Sequence, residues 1–139
     1  MEVDDITGMI VEAAIDIHRR LGPGMFESVY ETVLASMLVR RGLGVERQRA
    51  VAFTFDGIRF DQGFRIDLVV EDSVVVEVKS IDRLAPVHRK QLLTYLRLTE
   101  MRVGLLLNFG ADTMKEGLRR VVNDFVPSHS SPLLINRGR

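Results

Sequence analysis

Asp67, Glu77 and Lys79 are the residues of this chain whose types and spacing best suit chemistry. Glu77 and Lys79 interrupt an apolar run, Val74-Val75-Val76-Glu77-Val78-Lys79, where packing alone gives no reason for an acid and an amine. Strand side chains alternate in direction, so these two point to the same side. The preceding segment, Gly63-Phe64-Arg65-Ile66-Asp67-Leu68-Val69-Val70, reads as a partner strand, with Glu71-Asp72-Ser73 as the hairpin loop. A loop of that length pairs Val70 with Val74 and sets Asp67 directly across from Glu77, with Cβ atoms roughly 4.5–5.5 Å apart. Two carboxylates and an ammonium then converge on one patch of sheet. Such a patch suits a hard cation such as Mg²⁺, which takes oxygen ligands at about 2.0–2.1 Å and leaves positions open to water and phosphate. Ordinary cross-strand acids neutralised by Lys79 or Arg65 are the competing reading. Two acids meeting at the centre of a sheet repel, however, and one pKa must rise unless a cation intervenes.

The elements that hold this patch follow from periodicity. Ile6, Met9, Ile10, Ala13, Ala14, Ile17 and Leu21 recur at helical spacing, which predicts an amphipathic helix over residues 5–21 capped by Asp4 or Asp5. Gly22-Pro23-Gly24 ends it. A second helix is expected over 25–41, with Phe26, Val29, Val33, Leu34, Met37 and Leu38 on its inner stripe. Residues 45–55 alternate as a strand, and Asp56-Gly57 signals a two-residue turn into Ile58-Arg59-Phe60. Pro86 suits the first position of a helix reaching about Leu98. Val103 to Phe109 is apolar on both faces, as in a central covered strand. A helical or mixed segment is expected over 114–125. The reading is one domain, 1–126, followed by a Ser/Pro-containing tail, 127–139, that serves as a flexible segment or partner arm.

Further polar residues cluster by spacing. Glu27 and Tyr30 stand three apart on the second helix and share a face, although an acid in a first turn also serves the helix dipole and a tyrosine ring can simply pack. His88, Gln91 and Tyr95 line one face of the third helix, where a solvated flank is the plain alternative. Arg89-Lys90 borders that face and is the best placed of the basic pairs for phosphate. With no Trp and two Tyr, the chain offers no evident row of rings for reading single strands.

These residues fit a known pattern. Asp67, Glu77-x-Lys79 and the intervening hairpin resemble the PD-(D/E)XK nuclease superfamily. Gly63-x-x-x-Asp67 resembles the glycine-to-aspartate element of its RecB-like branch, and Gln91-Leu92-Leu93-Thr94-Tyr95 is similar to that branch's Q-x-x-x-Y motif. Gly24-Met25-Phe26-Glu27-Ser28-Val29-Tyr30 matches the signature of the GxxExxY family. The resemblance spans roughly residues 6–124. It departs from the superfamily where Ile66 replaces the proline before the aspartate.

The resemblance implies an α/β restriction-endonuclease-like core, a mixed sheet flanked by helices in the order α-α-β-β-β-α-β-α. It implies a Mg²⁺- or Mn²⁺-dependent nuclease, or endonuclease, acting on DNA in preference to RNA. Asp67 and Glu77 would hold the ion with the Val78 carbonyl, and Glu27 would add a third acid. Lys79 would position the attacking water and offset phosphate charge, helped by Gln91. Tyr95, His88, Arg89, Lys90 and Tyr30 would contact substrate. A catalytically silent nucleic-acid- or protein-binding module on the same fold is the alternative, and an oligomerising scaffold with structural charges is a third reading. A two-carboxylate glycosidase leaves Lys79 without a task.

Composition narrows the classes. The chain has 139 residues, 46% of them hydrophobic and 27% charged, which is ordinary for one globular domain. Lys plus Arg and Asp plus Glu balance at 19 each, so no global basic field coats nucleic acid, and any grip on it is local. The absence of cysteine excludes disulfides, thiolate zinc sites and thiol catalysis. No apolar run approaches the ~18 residues that span a bilayer, and the acidic start is unlike a secretory signal, so a cytoplasmic protein, dimeric if it cuts both strands, is expected.

Overall fold

The computed structural model describes residues 1–124 and the backbone of 133–136. Two helices come first, α1 (Val3–Leu21) and α2 (Glu27–Arg40), then strands β1 (Val45–Phe55), β2 (Ile58–Val70) and β3 (Val74–Lys79). Helix α3 (Pro86–Thr99), strand β4 (Val103–Asn108), a turn of helix α4 (Met114–Gly117), β5 (Leu118–Val122) and β6 (Leu133–Asn136) follow. The sheet runs β5-β4-β3-β2-β1-β6. Among the described residues only β3 and β4 pair in parallel; the other neighbours are antiparallel. This is a mixed sheet flanked by helices, the restriction-endonuclease-like core.

Alternation along the strands divides the core into two layers. Leu68, Val70, Val74, Val76, Val78, Leu105 and Leu107 face α1 and α2, meeting Ile10, Ala14, Ile17, Leu34 and Leu38. Ile66, Val69, Val75, Leu106 and Val121 face Leu92 and Leu96 of α3. Every residue of β4 is buried, as a strand covered on both faces requires. Among the described residues no helix is long and apolar enough to cross a membrane.

Three details differ from the sequence expectation. Helix α1 begins at Val3 with Glu2 as its N-cap, so Asp4 and Asp5 lie in the first turn, where they favour the helix dipole without capping it. Phe26, expected on the inner stripe of the second helix, is its N-cap and is 83% exposed. The segment from 114 is a single helical turn followed by β5, which pairs with the free side of β4 and satisfies its backbone groups there. Of the tail, Leu133–Asn136 pairs with the outer edge of β1 at Ala52–Phe55, and the rest of 127–139 lies outside the described residues.

Both hairpin tips are as their residues dictate. Asp56 and Gly57 have φ of 51° and 78°, the two left-handed residues of a primed turn. Glu71 and Asp72 also have positive φ, and the loop closes with Val70 paired to Val74.

Candidate active site

The β2–β3 ladder runs from Val70↔Val74 through Val69↔Val75 to Leu68↔Val76 and stops. The next residues in that register are Asp67 and Glu77, and here side chains replace the ladder bonds. The Asp67 amide donates to Glu77 Oε2 at 3.3 Å, and the Val78 amide donates to Asp67 Oδ2 at 2.9 Å. Two backbone donors set free by the parting strands are thus satisfied by the two acids. From this point β2 stays with β1 while β3 stays with β4, so the acids sit in the fork of a dividing sheet.

Glu77 shares with Val75 the side of β3 that α3 covers, and it is buried, 5% exposed. Burial pushes its carboxyl up to about 9, reinforced by the hydrogen bond and charge of Asp67 and opposed by the Asp67 amide and by Lys79. The metal-free pair therefore keeps a proton at neutral pH instead of carrying two charges. Lys79, at the end of β3 beside Asn108 of β4, is half-buried on the same side. Neither it nor Arg65 makes an ion pair with either acid within 4.0 Å among the described residues. The neutralised-acid alternative is thus absent from this arrangement.

Helix α3 reaches the acids through Tyr95. Its hydroxyl pKa is raised by burial and then by the charges of Glu77 and Asp67, and its ring stacks on Phe64 with centroids 4.3 Å apart. Phe64 continues through Phe53 to Phe60 at centroid distances of 6.3 and 5.1 Å, a row of rings that the sequence did not disclose. Gly63 gives this row its room: a Cβ there would fall 2.1 Å from the Phe53 ring. Gln91 lies one turn before Tyr95 and is exposed, as are Arg89 and Lys90. His88 has a local task, since its Nδ1 accepts the Ala85 amide at 2.9 Å and caps α3.

Two candidates stand apart from the acid pair. Tyr30 is fully buried, donates to the Gly22 carbonyl at 2.5 Å, accepts the Met25 amide at 3.1 Å and stacks on Phe109. It fastens the loop between α1 and α2 and presents nothing to a substrate. Glu27 is exposed in the first turn of α2. That end of the helix lies near the site, because Ser80 Oγ donates to the Met25 carbonyl at 2.6 Å. Yet among the described residues no three His, Asp or Glu side chains gather closely enough to hold an ion, so Glu27 does not complete a three-acid set.

Sequence reasoning missed Glu31 and Gln48. Glu31, one turn beyond Glu27, is buried and accepts from Arg47 and from Gln48 Nε2 at 2.7 Å. The same Gln48 nitrogen lies 3.4 Å from Asp67 Oδ1. The only sequence signal was the polar run Glu46-Arg47-Gln48-Arg49 at the start of β1.

The donor set fits a divalent cation. Two carboxylates face each other where burial otherwise forces one to stay protonated. The Val78 carbonyl is directed to the same edge as its amide, the edge that Asp67 occupies. A fold of this kind, with an acid on each arm of a parting hairpin and a lysine two residues on, defines a nuclease-like α/β domain. The chain matches the family model of the PD-(D/E)XK nuclease superfamily over residues 4–121 and belongs to that superfamily. No curated protein and no solved structure matches it.

Proposed function

We propose that this chain is a Mg²⁺- or Mn²⁺-dependent nuclease that hydrolyses phosphodiester bonds in DNA, with RNA the second choice. The observation that carries the proposal is the Asp67–Glu77 pair in the fork of the sheet, with Lys79 on the side of Glu77. Asp67, Glu77 and the Val78 carbonyl would hold the ion. When bound, the ion would polarise the scissile phosphate and lower the pKa of an attacking water. Lys79 holds that water and offsets charge growing on the phosphate, a role open to it because it is not tied up in an ion pair. Gln91, one turn from Tyr95, helps orient the water, and Arg89 and Lys90 take flanking phosphates. The Gly24–Tyr30 and Gln91–Tyr95 motifs support a place in the GxxExxY family and the RecB-like branch. We take residues 1–126 as a single cytoplasmic nuclease domain that dimerises when it cuts both strands.

The test is cleavage of plasmid and of single-stranded DNA with Mg²⁺ or Mn²⁺. Activity that disappears in Asp67→Ala and Lys79→Ala supports the proposal. Nucleic-acid binding by the wild type with no cleavage under either ion would replace it with the silent binding module.

A further inference from the structure

Among the described residues the buried acids are Glu77 and Glu31, and the chemistry above gives Glu31 no task. Glu31 is nonetheless held firmly. Its Oε2 accepts from Arg47 Nε at 3.2 Å and Nη2 at 3.0 Å, and its Oε1 accepts from Gln48 Nε2 at 2.7 Å. An amide nitrogen has two N–H groups to give, and the second is directed at Asp67 Oδ1, 3.4 Å away. Only the nitrogen end of Gln48 can face two carboxylates, so its orientation follows from the chemistry.

The backbone supports the same reading. Gln48 has a φ of 51° and lies between the ladder pairs Arg47↔Leu68 and Arg49↔Ile66. A left-handed conformation at a non-glycine residue is unfavourable, and it persists where surrounding contacts impose it. Asp67 then has one oxygen fixed by the Val78 amide and the other by Gln48, which sets the plane of its carboxylate.

We infer that Gln48 is a positioning residue, clamped by Glu31, that orients Asp67 toward Glu77; the inference rests on reading Asp67 as a metal ligand. Helix α2 thus serves the site through Glu31, by way of an amide, and not through Glu27.

Gln48→Gly is the discriminating variant, because glycine accepts the left-handed φ without strain, which offsets part of the cost of leaving Glu31 Oε1 without its donor. Calorimetric titration with Mn²⁺, in the absence of nucleic acid, should show affinity falling about 10- to 100-fold, the usual cost of losing a group that orients a ligand. Glu31→Ala should fall equally. Glu31→Gln keeps one acceptor oxygen for the donors of Arg47 and Gln48, so its affinity should lie between wild type and Glu31→Ala. The double variant Gln48→Gly/Glu31→Ala should be no worse than either single change. In metal-free protein, hydrogen exchange at the Val78 amide should quicken about tenfold in Gln48→Gly as Asp67 Oδ2 loosens. Unchanged exchange at Val78 and unchanged Mn²⁺ affinity would overturn the inference. A wild type that binds no Mn²⁺ would sink the nuclease reading, and Val78 exchange would still decide the part played by Gln48.

Discussion

Replacing Glu77 by glutamine should stabilise the metal-free protein. Unfolded Glu77 has the ordinary value of 4.5, whereas in the folded chain it is pushed up to about 9. At pH 7 the folded state must therefore take up a proton well above its unfolded value, which costs about 3 kcal/mol. Glutamine meets the same partners with no such cost: its oxygen accepts the Asp67 amide, and its nitrogen donates to the Asp67 carboxylate. The variant should gain about 2–3 kcal/mol at pH 7, or roughly 6–12 °C in Tm. Below pH 4.5 both states of the wild type hold the proton, and its stability is fully expressed. As pH climbs from there toward 9 only the folded state holds it, so stability falls by up to about 1.4 kcal/mol per unit. Denaturant unfolding of both proteins in EDTA between about pH 5 and 8.5 measures this directly. The curves should converge at the acid end and separate steadily as pH rises. Parallel curves, or a variant less stable than wild type at pH 7, would refute the electrostatic account of the site. Adding Mn²⁺ at a hundredfold excess over its Kd should then restore about 2.7 kcal/mol to the wild type and nothing to Glu77→Gln.

Other expectations concern residues around the pair. Lys79→Met should reduce cleavage roughly 10²- to 10⁴-fold while leaving Tm within a few degrees, in paired rate and melting measurements. Tyr30→Phe removes the partner of the Met25 amide and the Gly22 carbonyl at a partly buried site, and denaturant melts should show a loss of about 1 kcal/mol. Gly63→Ala drives a methyl group into the Phe53 ring and should lose about 1–3 kcal/mol by the same measurement, with Phe53→Leu recovering part of it.

What could be read from the chain depended on how local the determining interactions are. The apolar stripe of α1 and the loop length between β2 and β3 are local, and from the latter the pairing of Val70 with Val74 follows directly. Strand β5 was hidden because Arg119 and Arg120 occupy its middle, and only the distant edge of β4 makes the segment a strand. Tyr30 and His88 looked available for substrate because sequence shows a side chain's chemistry but not the nearby backbone group that has already engaged it. The Glu31–Gln48 bridge joins α2 to β1 across 17 positions and depends on one left-handed residue, which no periodicity announces. The row of rings escaped for a similar reason, since Phe53, Phe60 and Phe64 meet only when β1 and β2 fold together.

The Glu71-Asp72-Ser73 tip has a consequence for how the gene can vary. Exposed hairpin tips ordinarily absorb insertions and deletions without harm. Here one codon more or fewer would force either a one-step slip, which turns Asp67 and the core residues of one arm to the wrong face, or a distorted loop. Length changes are therefore better tolerated at Asp56-Gly57, at the opposite end of β2 from the loop that fixes the acid pair, than at a loop whose span is fixed by the distance between two carboxylates.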